Sequence, residues 1–149
     1  MDMNAERLAE LKRIAKEHGG VLTPGDVVAA AADETSPLHS AFEWDDSEAA
    51  RKYRLEQARH IIRVTVEVIG GGDNGRQIQA FVSVRSDRTD AGGYRHAPTL
   101  MRSKDGRAAI LETALWELEA FQKKYAALNE LADVFAAIKA AREQNTKAA

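Results

Sequence analysis

DDSEAARKYRLEQARHIIRVTVEVI, residues 45–69, decides how this chain is read. Its acidic start, with Asp45 or Asp46 as cap, opens a helix and opposes the helix dipole. From Ser47 to about Ile62, a turn of 100° per residue puts Ala50, Leu55, Ala58, Ile61 and Ile62 in one core-facing arc. Lys52, Glu56, Arg59 and Arg63 line the neighbouring face, with Glu56 placed to pair with Lys52 and Arg59. Arg51 and Arg54 fall inside the apolar arc and need partners, which Glu43, Asp45 and Asp46 can supply. The helix passes almost without a linker into a strand, with Val64, Val66 and Val68 on its inward face.

Upstream, the pattern is helical. Leu8, Leu11, Ile14 and Ala15 form an apolar stripe over residues 4–18, with Asn4 as cap and Gly19-Gly20 as stop. Thr23-Pro24-Gly25-Asp26 restarts a short helix carrying Val27, Val28 and Ala31. The two helices around a Gly turn are helix-turn-helix-like, but the second has no Arg, Lys, Asn or Gln to read a base edge. Residues 33–40 read as a loop, with Phe42 and Trp44 as its anchors.

Downstream, GGGDNG (residues 70–75) turns the chain into a partner strand over residues 77–85, with Ile78, Ala80, Val82 and Val84 inward. SDRTDAGGYR (86–95) reads as a mobile polar loop, and residues 94–101 as a third strand that Pro98 marks as an edge. Ser103 caps the last element. No Gly or Pro occurs from Arg107 to Gln144, and Leu111, Leu115, Leu118, Tyr125, Leu128, Leu131, Phe135 and Ile138 continue one stripe. Unbroken, that helix spans about 55 Å, more than a domain of this size is wide. It therefore either bends near Asn129 into a helical hairpin or projects to pair with another copy. A coiled-coil-like homo-oligomer through residues 108–142 is the expectation. The fold class is α+β: small N-terminal helices, a central helix, an antiparallel sheet of two or three strands and a long C-terminal helix. The organisation expected is an acidic helical segment (1–44), a central helix with a basic sheet (45–107) and the C-terminal helix (108–149).

Charge separates these parts. The net charge is -2, yet residues 1–50 hold four Lys/Arg against eleven Asp/Glu, whereas residues 51–107 hold twelve against six. Either the two parts neutralise each other inside the fold or the basic part faces an outside anion. The second alternative points to nucleic acid, DNA ahead of RNA. Its candidate contacts are Arg59, Arg63, Arg85, Arg88, Arg95, Arg102, Lys104 and Arg107, with Tyr94 to stack on a base or sugar. The other class of function is docking on a protein partner through the long helix or the acidic segment.

Chemistry is not indicated. There is no Cys, which removes disulfides, thiolate metal sites and Cys nucleophiles. His39, Glu43, Asp45 and Asp46 have the atoms of a divalent-metal site, but HSAFEWDDS lacks ligand spacing and its acids are wanted for the cap. The glycine turns match neither dinucleotide nor P-loop patterns. A non-enzymatic protein with no metal and no cofactor is expected. No apolar run approaches the roughly 20 residues of a membrane helix, and the acidic start is unlike a signal peptide, so the cytoplasm is the expected location.

Two resemblances follow from particular stretches. GGVLTPGDVVAAAADETSPLHSAFEWDDSEAARKYRLEQARHIIR (residues 19–63), with SVRSDRTDAGGYR (83–95), resembles a family of uncharacterised proteins of tailed bacteriophages and prophages. It implies a phage or prophage setting in a bacterial host cell and assigns no functional residue. Separately, the order helix, three strands, helix is that of a double-stranded-RNA-binding domain, whose basic cluster Arg102, Lys104 and Arg107 echo thinly. That similarity is one of order alone.

Overall fold

Helix α1 (Met3–Glu17) starts at Asp2, whose side chain accepts from the Asn4 amide at 3.2 Å. The cap is therefore Asp2 and not Asn4. The coordinates are a computed structural model describing residues 2–44 and 47–148, with side chains to residue 147. Gly19 and Gly20, both at positive φ, end α1 as expected. Leu22 then exchanges both backbone hydrogen bonds with Tyr94, at 2.6 and 2.8 Å. Thr23 caps α2 (Pro24–Ala31) by accepting from the Asp26 amide, and its hydroxyl donates to the Asp26 carboxylate. In the loop that follows, Trp44 donates to the His39 carbonyl at 3.0 Å and stacks on the His39 ring, while Phe42 is buried. Both aromatics are the anchors expected of them.

Helix α3 (Glu48–Val64) is capped by Ser47, which accepts from the Ala50 amide. The cap expected at Asp45 or Asp46 is thus corrected to Ser47; those two acids lie outside the described residues. Arg51 is exposed beside Glu48 and does not enter the apolar arc. Arg54 donates to the Glu43 carbonyl at 3.0 Å and lies over Trp44.

The sheet departs further from expectation. Val64 still belongs to α3, and the buried residue after it is Thr65, whose hydroxyl donates to the Ile61 carbonyl. Strand β1 (Val66–Ile69) pairs antiparallel with β2 (Arg76–Gln79), Val66 opposite Gln79 and Ile69 opposite Arg76. Val64 and Val68 are 55% and 64% exposed, so two of the three valines expected inward point out. A shift of two residues keeps strand parity, so this is not a register slip: Val64 is exposed as part of α3, Val66 stays half-buried and Val68 lies out on the hairpin. The partner strand is likewise broken at Ala80, which donates to Thr65 and accepts from Ala97. Beyond it β3 (Phe81–Val82) pairs with β4 (Arg95–His96). Both sheets are two-stranded, and the strand expected over residues 94–101 is only β4. Pro98 instead sits in the first turn of the short helix α4 (Ala97–Leu100), where its missing N–H costs nothing.

The loop expected to be mobile is closed. The Asp87 carbonyl accepts from the Thr89 and Gly93 amides, and the Asp87 carboxylate grips Arg95. Gly93 fits because a Cβ there would stand 3.0 Å from that carbonyl and 3.1 Å from Val21.

Ser103 caps α5 (Lys104–Lys124) by accepting from the Gly106 amide. The chain turns at residues 125–131 and returns as α6 (Ala132–Ala148). Phe121 packs edge-on against Phe135, and Arg142 reaches Glu119 at 3.5 Å, so the C-terminal stretch is a helical hairpin bent near Asn129. One core joins α1, α2, α3 and β3: Leu11, Ile14, Leu22, Val27, Leu38, Ile62 and Phe81 are each 1% exposed or less. The α+β class stands. No helix among the described residues is long and apolar enough to cross a membrane.

Candidate nucleic-acid interface

The arginines nearest the sheet are held by the protein's own groups. Arg95 bonds Asp87 through Nε at 2.5 Å and Nη2 at 3.1 Å, and this raises its pKa against the opposing effect of burial. Arg88 donates to Glu117 at 2.8 Å and to the Ser83 carbonyl, and Arg85 lies 3.6 Å from Glu112. Both guanidinium groups stack over Trp116 of α5, at 5.0 and 5.2 Å from its ring centre. Arg59 pairs with Glu56 one turn back, as the helical spacing predicts. Tyr94 is half-buried against the core, its backbone bonded to Leu22. Four arginines of the basic part are therefore neutralised, two by α5, one by Asp87 and one by Glu56, and none of them by a described acid of the N-terminal segment.

Within that segment only a few of the described acids find a cationic partner. Arg13 takes Glu10 and Glu17, each at 2.6 Å, and the bond from Arg13 holds the Glu10 carboxyl below its usual range. His18 lies 3.4 Å from Asp26. His39 donates to the Ala31 carbonyl at 2.8 Å besides stacking on Trp44, so it serves the loop. Of the conceivable metal ligands beside it, Asp45 and Asp46 lie outside the described residues.

Arg63, Arg102, Lys104 and Arg107 are exposed and make no ion pair with any described carboxylate. Arg63, Arg88 and Tyr94 meet in one groove of about 500 Å³ between β3 and α5, but Glu117 stands in it. A second groove, about 650 Å³, lies between the end of α1 and α4, lined by Lys12, Lys16, Gly20, Arg95, His96, Thr99 and Arg102. No carboxylate lines it. The Arg95 Nη1, which Asp87 leaves unused, lies 3.9 Å from where a Cβ on Gly20 would stand. Lys104 and Arg107 continue this cationic surface along the first turns of α5. Two acids support it from behind: Asp87 under Arg95, and Glu67 under His96 (2.5 Å) and Lys12 (3.3 Å). Burial pushes the Glu67 carboxyl up, but the His96 hydrogen bond, the His96 charge and Lys12 together bring it below its usual value.

Of the expected residues, Arg95, Arg102, Lys104 and Arg107 thus share one region around α4. Lys12 and Lys16 join them and were missed, because in sequence they belong to the most acidic third. Their only signal was their i, i+4 spacing on α1, which puts both on one face. No family model, no curated protein and no solved structure matches this chain.

Proposed function

We propose that this protein is a non-enzymatic accessory protein of a phage or prophage that holds nucleic acid, DNA ahead of RNA, by its phosphates in the bacterial host cytoplasm. One observation carries the reading: around α4, Lys16, Arg102, Lys104 and Arg107 are unpaired with described carboxylates, and the groove that Lys16 and Arg102 line has no acid in its lining, whereas the one that Lys104 and Arg107 line holds Glu112. Cations in that state neutralise phosphates and release condensed counterions, the main source of sequence-independent affinity. The likeness of residues 19–63 and 83–95 to tailed-phage and prophage proteins supports the setting.

Fluorescence anisotropy with a labelled DNA duplex, across a salt series, tests it. Binding is expected to weaken steeply with salt. The R102A/K104A/R107A protein should bind more weakly, with a salt slope lower by about 0.9 for each phosphate it no longer neutralises. R85A/R88A, which removes cations already paired, should change the slope little. Affinity that does not move with salt sinks the proposal.

A second reading, docking on a phage or host protein through the C-terminal helices or the acidic segment, has one observation in its favour. The α5–α6 hairpin leaves Leu111, Trp116, Leu118, Phe121, Tyr125, Leu128 and Val134 exposed. Its mark would be a protein complex that persists at salt concentrations where no DNA is bound.

A further inference from the structure

The exposed apolar side chains of α5 are not scattered. Leu111, Leu118 and Tyr125, the last at the C-cap, are seven residues apart, and Ala114 and Phe121 repeat the same spacing three residues later; all five are exposed, as is Leu128 in the turn beyond the helix. This is the a and d pattern of a two-stranded coiled coil, a seam that packs only against another helix. Helix α6 meets it only at Phe121, whose ring packs edge-on against Phe135. Otherwise α6 packs on a different side of α5, where Arg142, Asn145 and Thr146 lie beside Glu112, Leu115, Trp116 and Glu119. The sheet side of α5 is taken by Arg85, which donates its amide to Thr113, and by Arg88 on Glu117.

We infer that a second copy of this chain seats on that seam, the two α5 helices running antiparallel about a two-fold axis between Leu118 and Phe121. Seam positions then meet in layers: Ala114 with Tyr125 and Leu118 with Phe121, each occurring twice by symmetry, with Leu111 facing the partner's turn. The smallest seam residue falls opposite Tyr125, so the layers fill space evenly. Charge agrees with the same arrangement. Glu117 of one copy comes beside Lys124 of the other, and residues 104–148 carry seven Lys/Arg and seven Asp/Glu, so like hairpins approach without net repulsion. Area agrees as well. Leu111, Leu118, Phe121, Tyr125 and Leu128 are 36% to 47% exposed. At roughly 150–250 Å² for a large side chain they present about 400 Å², half of the ~800 Å² each partner contributes to a standard interface. Exposed Ala114 and the aliphatic stems flanking the seam supply the remainder.

The test is the mass of the full chain in solution by light scattering after size exclusion. Twice the 16.3 kDa of one chain is expected, and L118E should weaken the dimer at least 100-fold with its circular dichroism unchanged. V68E, equally exposed but on the β1–β2 hairpin, should leave the mass unchanged. Should L118E fail to fold, cysteine cross-linking decides, because the chain has no Cys of its own. A short bis-maleimide should join L118C into a covalent dimer and leave V68C as single chains. A single-chain mass at every concentration, which would reserve the seam for a different protein, overturns the inference. So does a dimer that L118E leaves intact, or one in which L118C fails to cross-link.

Discussion

Glu67 shows how one side chain ties three elements together. From β1 it holds His96 of β4 and Lys12 of α1, and its carboxyl is stabilised in the charged form. Because its pKa is lower folded than unfolded, its contribution is fully present above the usual value of 4.5 and fades as pH falls through the folded value. Unfolding free energies measured by urea between pH 7 and pH 3 should therefore fall for the wild type. They should fall less for E67Q, the two curves approaching each other at the acid end. Gly106 makes a steric point in the same region. A Cβ there would stand 2.1 Å from the Leu100 carbonyl oxygen, backbone against backbone where α4 meets α5. G106A should lose about 2 kcal/mol or more, read from the urea midpoint. The need for Gly inside a helix start was invisible in sequence; only the approach of α4 explains it.

At the level of elements, the helix boundaries at Gly19-Gly20, Thr23 and Ser103 were legible, as was the inward face of Ile78, Ala80, Val82 and Val84, whereas the caps at Asp2 and Ser47 and the face of β1 were not. Thr23, Ser103 and the Gly19-Gly20 stop act through bonds to residues two to four positions away, so local pattern suffices to place them. Where β1 begins depends on where α3 stops, and that is set by Ile61 and Ile62 docking in the core and by the Thr65 hydroxyl on Ile61. The alternation of Val64, Val66 and Val68 was real, but Val64 and Val68 are spent on solvent. Accordingly V68T should change stability by less than about 0.5 kcal/mol. F81A should cost about 4 kcal/mol, since Phe81 is wholly buried at the centre of the core. Thermal and urea unfolding of the two variants compare these directly.

For the whole molecule, the separation of charge along the chain does not survive as a separation in space. Acidic residues of α5 take Arg85 and Arg88, the N-terminal acids take Arg13 and His18, and Lys16, Arg102, Lys104 and Arg107 stay unpaired around α4, with Arg63 apart from them in the groove that holds Glu117. If the α5 seam joins two copies, two such surfaces act together. The single-chain L118E protein should then bind a long duplex about 10- to 100-fold more weakly than the wild type, yet match it on a duplex too short to reach both surfaces. Anisotropy with duplexes of two lengths checks this.

The amino-acid sequence by itself determined the α+β class, the helix caps at Thr23 and Ser103 and the core stripes of α1 to α3, because each rests on period and local hydrogen bonding; it left open whether the last stretch bends near Asn129 or projects, and the packing of Phe121 on Phe135 decides for the bend. Tertiary structure alone decided which arginines stay unpaired, that Lys12 and Lys16 join them, and which face of β1 is buried. Those outcomes depend on contacts between residues far apart in the chain, such as Glu117 with Arg88 and Glu67 with His96, and no local pattern carries them.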